Sequence, residues 1–176
     1  RNDYKFDVQK VRDEMRQREQ SIRSQGLIPV WSEETLLGDP LVNDYCGPEV
    51  LWRLSQLELD VRVLITIRKQ ESFAVSGYRE ALRFQRYRLS DFIGTGAEDL
   101  SMRPILRPEF LEYDQCIEAY QEVFGSDNCC VLPLELLQRD VTAYSSQLCN
   151  FMEVPPELPT DQLPRNVGRG GTSLTL

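Results

Sequence analysis

Histidine is absent from all 176 residues, which removes imidazole as a general base and leaves that task to carboxylate, lysine, tyrosine or cysteine. Cysteine is sparse: Cys46, Cys116, Cys129, Cys130 and Cys149 form an odd set without C-x-x-C spacing. With no histidine to complete a site, neither a zinc centre nor a disulfide framework is expected, and no metal is assigned. Cys129 and Cys130 are adjacent in an apolar run, the setting of small buried thiols rather than of a redox or metal pair. No run of 18 apolar residues occurs, so no membrane segment is expected. The opening Arg1-Asn2-Asp3-Tyr4-Lys5 has neither an initiator Met nor a signal-peptide pattern, and the chain is expected to begin mid-protein. Neither G-x-x-x-x-G-K-[ST] nor G-x-G-x-x-G is present, which gives an NTPase or a dinucleotide enzyme little support. Positive charge is also in deficit, with 20 Lys and Arg against 28 Asp and Glu and a net charge of −8. That balance argues against nucleic acid and anionic membranes as partners, so any anion must be held by a few placed residues.

What is there fits one soluble domain, since 41% hydrophobic residues in a chain of this length can bury a real core. Tyr4, Val8, Val11, Met15 and Ile22 recur at helical intervals and predict an amphipathic helix ended near Gly26. Leu27-Ile28-Pro29-Val30-Trp31 reads as a short buried strand before the polar trio Ser32-Glu33-Glu34, with Gly38-Asp39-Pro40 as a turn. Pro48 opens a helix to about Leu57. The β-branched run over 61–67 is too continuously apolar for a sheet with one wet face, and predicts a central parallel strand. A helix follows from Lys69 to about Arg83, with Phe73, Val75, Tyr78 and Leu82 supplying its apolar contacts, then a short one from Leu89 to Ile93 capped by Ser90, then a loop over 94–108. Phe110, Tyr113, Ile117, Tyr120 and Phe124 mark another helix closed by Gly125, before a short buried strand from Cys129 to Leu134. Val141 to Met152 is a last helix behind Asp140. Residues 155–176 contain Pro and Gly without periodicity and read as an extended cover or linker of the domain formed by residues 1–154.

This order predicts an α/β fold with a mainly parallel sheet covered on both faces, and such sheets bind ligands beyond the carboxyl ends of their strands. Two polar clusters are expected there, Ser32 to Glu34 and Arg68 to Ser76. In Val63-Leu64-Ile65-Thr66-Ile67-Arg68-Lys69-Gln70-Glu71-Ser72-Phe73-Ala74-Val75-Ser76-Gly77-Tyr78, an arginine emerges from a strand and a serine follows eight residues later in a helix. A guanidinium fork and a hydroxyl near a positive helix end can grip one phosphate. The plainer alternative is an arginine that only neutralises a strand end.

Ile67-Arg68 followed at that interval by Ser76 and Tyr78 resembles the 3′-phosphate motif of sulfotransferases that use PAPS (3′-phosphoadenosine 5′-phosphosulfate). Where the familiar cytosolic enzymes have Asn-Pro after the arginine, this chain has Lys69-Gln70, closer to bacterial and other distant branches. Trp31-Ser32-Glu33-Glu34-Thr35-Leu36-Leu37-Gly38 is similar to a Ser-x-Glu-x-Leu-x-Gly signature of bacterial sulfotransferase-like proteins. Phe124-Gly125-x-Asp127-Asn128, with Val131-Leu132-Pro133-Leu134-Glu135-Leu136-Leu137-x-Arg139-Asp140 after it, looks like the family's late strand and following helix. The likeness covers about residues 5–154. It implies a three-layer α/β/α, P-loop-NTPase-like sulfotransferase fold, incomplete because the glycine-rich 5′-phosphosulfate loop has no match. Gly168-Arg169-Gly170-Gly171 follows no convincing strand and reads as tail.

The resemblance further implies PAPS as co-substrate, held at its 3′-phosphate by Arg68 and Ser76, and sulfuryl transfer to a hydroxyl or amine of a small-molecule or glycan acceptor, with a lipid another option. Glu34, and secondarily Glu33, would stand at the strand end that bears the histidine base of cytosolic members; both also fit a solvated edge or a helix-terminal charge pair. A catalytically inactive nucleotide-binding or interaction module is the alternative expectation. Unpaired cysteines lean towards a reducing cytoplasm, although luminal sulfotransferases exist.

Overall fold

A computed structural model of the chain describes residues 6–33, 35–84, 87–95 and 104–155. It divides into two units, Arg1–Pro133 and Leu134–Leu176.

In the first unit α1 spans Val8–Arg23, and the Asp7 side chain accepts the Lys10 N–H at 3.1 Å to satisfy one of the free donors of its first turn. No residue of α1 is buried. It is tied to α2 (Gly47–Ser55) and the turn after it, because the Arg12 guanidinium donates to the Gln56 carbonyl at 2.7 Å and lies 3.2 Å from the Glu58 carboxylate. Among the described residues the predicted strand after α1 does not form: residues 27–31 belong to no strand, and Val30 is 70% exposed. Apolar content alone does not make a strand, and Pro29 removes a backbone donor from the middle of this one. The Gly38-Asp39-Pro40 turn belongs to a small antiparallel hairpin, β1 (Gly38–Asp39) with β2 (Asp44–Tyr45). Gly38 has φ +111°, and a Cβ there would stand 2.2 Å from the Asp44 carbonyl oxygen, so no other residue fits.

β3 (Val63–Ile67) and β4 (Cys129–Pro133) pair in parallel, with Val63 opposite Cys129 and Ile67 opposite Pro133. A parallel pair needs a long crossover, here α3 (Gln70–Phe84), α4 (Leu89–Ile93), a 3₁₀ turn at Pro108–Phe110 and α5 (Tyr113–Phe124). The mixed α/β class and the parallel pairing therefore stand. Continuous burial of the first strand does not: β3 alternates, with Leu64 43% exposed and Thr66 exposed while Val63, Ile65 and Ile67 are half-buried. Among the described residues the parallel sheet has two strands, so β3 is not a central strand covered on both faces. An unbroken apolar run specifies chemistry on both faces of a strand but supplies no neighbours to cover them.

A buried cluster joins α3, α4 and the segment that follows it. Ala81 of α3, Phe92 of α4, and Leu106 and Phe110 after it are buried together, with Phe73, Ala74 and Tyr78 packed against them. Positions 73, 74, 77, 78 and 81 share one face of α3, the i, i+1, i+4, i+5, i+8 pattern of a helix that buries one side. Gly77 is part of that face because a Cβ there would come 3.1 Å from Cζ of the fully buried Phe92. Ser90 does not cap α4 as expected; it lies inside the helix, and Asp91 instead accepts the Arg88 N–H at 3.4 Å. In the second unit, α6 (Leu134–Arg139) and α7 (Val141–Met152) follow, and Asp140 caps α7 by accepting the Ala143 N–H at 2.9 Å. The expected loop over 94–108 lies partly, and the tail 155–176 almost wholly, outside the described residues.

Candidate functional site

Because the inner face of α3 is fixed by the core, its outer face has a fixed direction. Ser72, Val75, Ser76 and Arg79 fall within about 100° of arc on that outer face at 100° per residue. Arg68 leaves the end of β3 just before the helix starts. Together with Glu71 these residues line one cleft of about 340 Å³. The start of α3 is anchored where the Gln70 side-chain amide donates to the Leu111 carbonyl at 2.8 Å, and the first intrahelical bond runs from Phe73 N–H to Lys69 C=O at 2.9 Å. The N–H groups of the turn ahead of it have no partner within the helix, and the positive helix end faces the same region as Arg68.

The cleft thus holds Arg68 and Ser76, the two residues singled out for a phosphate. Sequence reasoning missed Ser72 and Arg79, whose 72-76-79 spacing with Ser76 was legible as one helical stripe, and Glu71. Arg68 and Ser72 are half-buried; Glu71, Ser76 and Arg79 are exposed. Among the described residues none of these five side chains has a hydrogen-bond or ion-pair partner, and the Glu71 carboxylate pairs with neither guanidinium although all three line one cleft. An anion here meets two guanidinia and two hydroxyls, each able to donate.

The acidic candidates fare differently. The Glu33 carboxylate accepts from the Thr35 N–H at 3.4 Å and the Thr35 hydroxyl at 3.1 Å, a local turn contact outside the cleft lining, and among the described residues no strand precedes it. Glu34 lies outside the described residues. No protein-family model, curated protein or solved structure matches the chain. The site rests on its own geometry.

A larger hollow of about 480 Å³ runs beside α1, but Asp7, Asp13 and Glu14 oppose the single Lys10 there, so its charge repels an anion. Among the described residues no group of three or more His, Cys, Asp or Glu is placed to hold a metal ion, and no helix is long and apolar enough to cross a membrane. All five cysteines are free. Cys149 is buried, whereas Cys129 and Cys130 are half-buried rather than buried as expected. Burial still pushes the Cys116, Cys129 and Cys130 thiols up, which disfavours the reactive thiolate.

Proposed function

We propose that the Arg68–Ser76 cleft binds the 3′-phosphate of PAPS, and that the chain is sulfotransferase-type domain material whose parallel strand pair belongs to a three-layer α/β/α, P-loop-NTPase-like sheet. One observation carries the reading: a guanidinium at the tip of a parallel strand and a hydroxyl eight residues later line the same cleft, both without a protein partner among the described residues. Arg79 adds a second guanidinium, which suits a phosphate monoester with close to two negative charges. In the reaction the acceptor hydroxyl or amine attacks sulfur, the sulfur–oxygen bond to the 5′-phosphate breaks, and the nucleotide bisphosphate leaves. The proton from the acceptor passes to a carboxylate, Glu34 or Glu33 in this reading. Acceptors are small molecules, glycans or lipids carrying that group.

A second reading, a nucleotide-binding or interaction module without turnover, is favoured by one feature: the Glu33 carboxylate is engaged with Thr35 and does not line the cleft. Titration calorimetry with 3′,5′-ADP tests the common ground. A charged hydrogen bond contributes roughly 1.5–3 kcal/mol, so Arg68→Ala is expected to weaken binding at least about tenfold. Unchanged affinity in a folded Arg68→Ala variant overturns the site. Sulfuryl transfer from PAPS to a hydroxyl acceptor separates the readings, since the module binds 3′,5′-ADP but yields no sulfated product.

A further inference from the structure

A carboxylate in an anion-binding cleft is a contradiction unless the ligand gives it a hydrogen to accept. Glu71 sits in the first turn of α3 and lines the same cleft as Arg68, Ser72, Ser76 and Arg79. Had its purpose been to neutralise the arginines, an ion pair would form, yet no Glu71 oxygen pairs with Arg68 or Arg79, and Glu71 has no other partner among the described residues. A bare carboxylate here repels a phosphate and costs affinity. Repulsion becomes attraction when the phosphate carries a hydroxyl on the neighbouring carbon, because a carboxylate is an acceptor only and a ribose hydroxyl is a donor.

We propose that Glu71 is a specificity-determining residue that accepts a hydrogen bond from the hydroxyl vicinal to the bound phosphate, so that the cleft selects ribonucleotides over deoxyribonucleotides. This rests on the phosphate-site reading above. In a nucleotide whose 3′-phosphate is held by Arg68 and Ser76, the hydroxyl in question is the ribose 2′-OH. The division of labour follows from the lining: guanidinia and serine hydroxyls donate to the phosphate, Glu71 accepts from the sugar, and the half-exposed Val75 offers an apolar contact between them. The first-turn position also places the carboxylate near the positive helix end. That benefit is independent of any ligand and is read separately as stability.

The test is calorimetry of wild type, Glu71→Ala and Glu71→Gln with 3′,5′-ADP and with its 2′-deoxy counterpart. The wild type is expected to bind the ribonucleotide about tenfold or more tighter, the worth of one hydrogen bond to a charged group. Glu71→Ala should weaken the ribonucleotide and strengthen the deoxyribonucleotide, bringing the two together. Glu71→Gln, which keeps an amide oxygen as acceptor, should retain part of the preference. If Glu71→Ala changes both ligands in the same direction and by the same factor, Glu71 acts through the helix or the general field, and the inference fails. A wild type that does not distinguish the two sugars also overturns it, with the phosphate site intact. If neither ligand binds, or Arg68→Ala leaves both affinities unchanged, the phosphate-site reading itself is wrong and the inference falls with it.

Discussion

Gly77 and Phe92 lock α3 against α4, and the lock sets the direction in which Ser76 and Arg79 face; its energy can be measured by a double-mutant cycle. A Cβ at position 77 would stand 3.1 Å from Phe92 Cζ, and Phe92 is fully buried with its ring 5.6 Å from that of Tyr78. In an open helix, Gly→Ala stabilises by about 1 kcal/mol, but overpacking a filled core costs about 1–3 kcal/mol. We therefore predict that Gly77→Ala alone is neutral to destabilising, by about 0–2 kcal/mol. Phe92→Leu removes Cζ and should cost about 2 kcal/mol, at roughly 0.8 kcal/mol for each buried carbon lost. In that background the added methyl has room, and Gly77→Ala should stabilise by about 1 kcal/mol. The two changes are thus non-additive by about 1–3 kcal/mol, read from urea unfolding followed by circular dichroism with unchanged m-values. Additivity within about 0.5 kcal/mol would refute the contact, and with it the account of how α3 is oriented.

Two further outcomes follow from other contacts. Asp140→Ala removes the acceptor for the Ala143 N–H and is expected to destabilise α7 by about 1 kcal/mol, with Asp140→Asn nearly neutral in the same urea titration; equal losses for both would assign the effect to charge rather than capping. Tyr120 is buried, its hydroxyl has no partner among the described residues, and burial pushes its pKa up to about 12 from an ordinary 10. The folded state then keeps a proton that the unfolded chain releases, so this contribution to stability is fully present below pH 10 and is lost as pH rises towards 12. Tyr120→Phe should retain or slightly raise stability at pH 7 and flatten the alkaline decline; a loss of more than about 1 kcal/mol at pH 7 would show that the hydroxyl is satisfied in solution.

The helices were largely legible because their signals are local. The 113-117-120-124 stripe and the cap at Asp140 each specify a helix without reference to the rest of the chain, whereas the packed face of α3 was read only in part: Phe73 and Tyr78 pack as expected, but Val75 and Leu82 are exposed and Ala74 and Ala81 take their place. β3 and β4 were placed within a residue or two, since β-branched runs bounded by turns carry that information. Strand status for residues 27–31 was misjudged because pairing is not a local property: the same apolar composition with Pro29 inside it leaves an exposed segment outside any strand. The exposure of Leu64 was hidden for the same reason. At the site, Arg68 and Ser76 were visible through a spacing, whereas Glu71 and Arg79 look like any surface charges until the cleft joins them.

No residue of α1 is fully buried: Val8, Val11, Met15 and Ile22 are half-buried, and the rest of its support is its own cap, its own i,i+4 pairs and the tether at Arg12. A segment held that way can unwind and rewind while the rest of the fold stays shut, because local opening costs only what is lost locally. Amide exchange along residues 8–23 would then report a private equilibrium of one helix, decoupled from the global unfolding that governs Leu132 and Phe92.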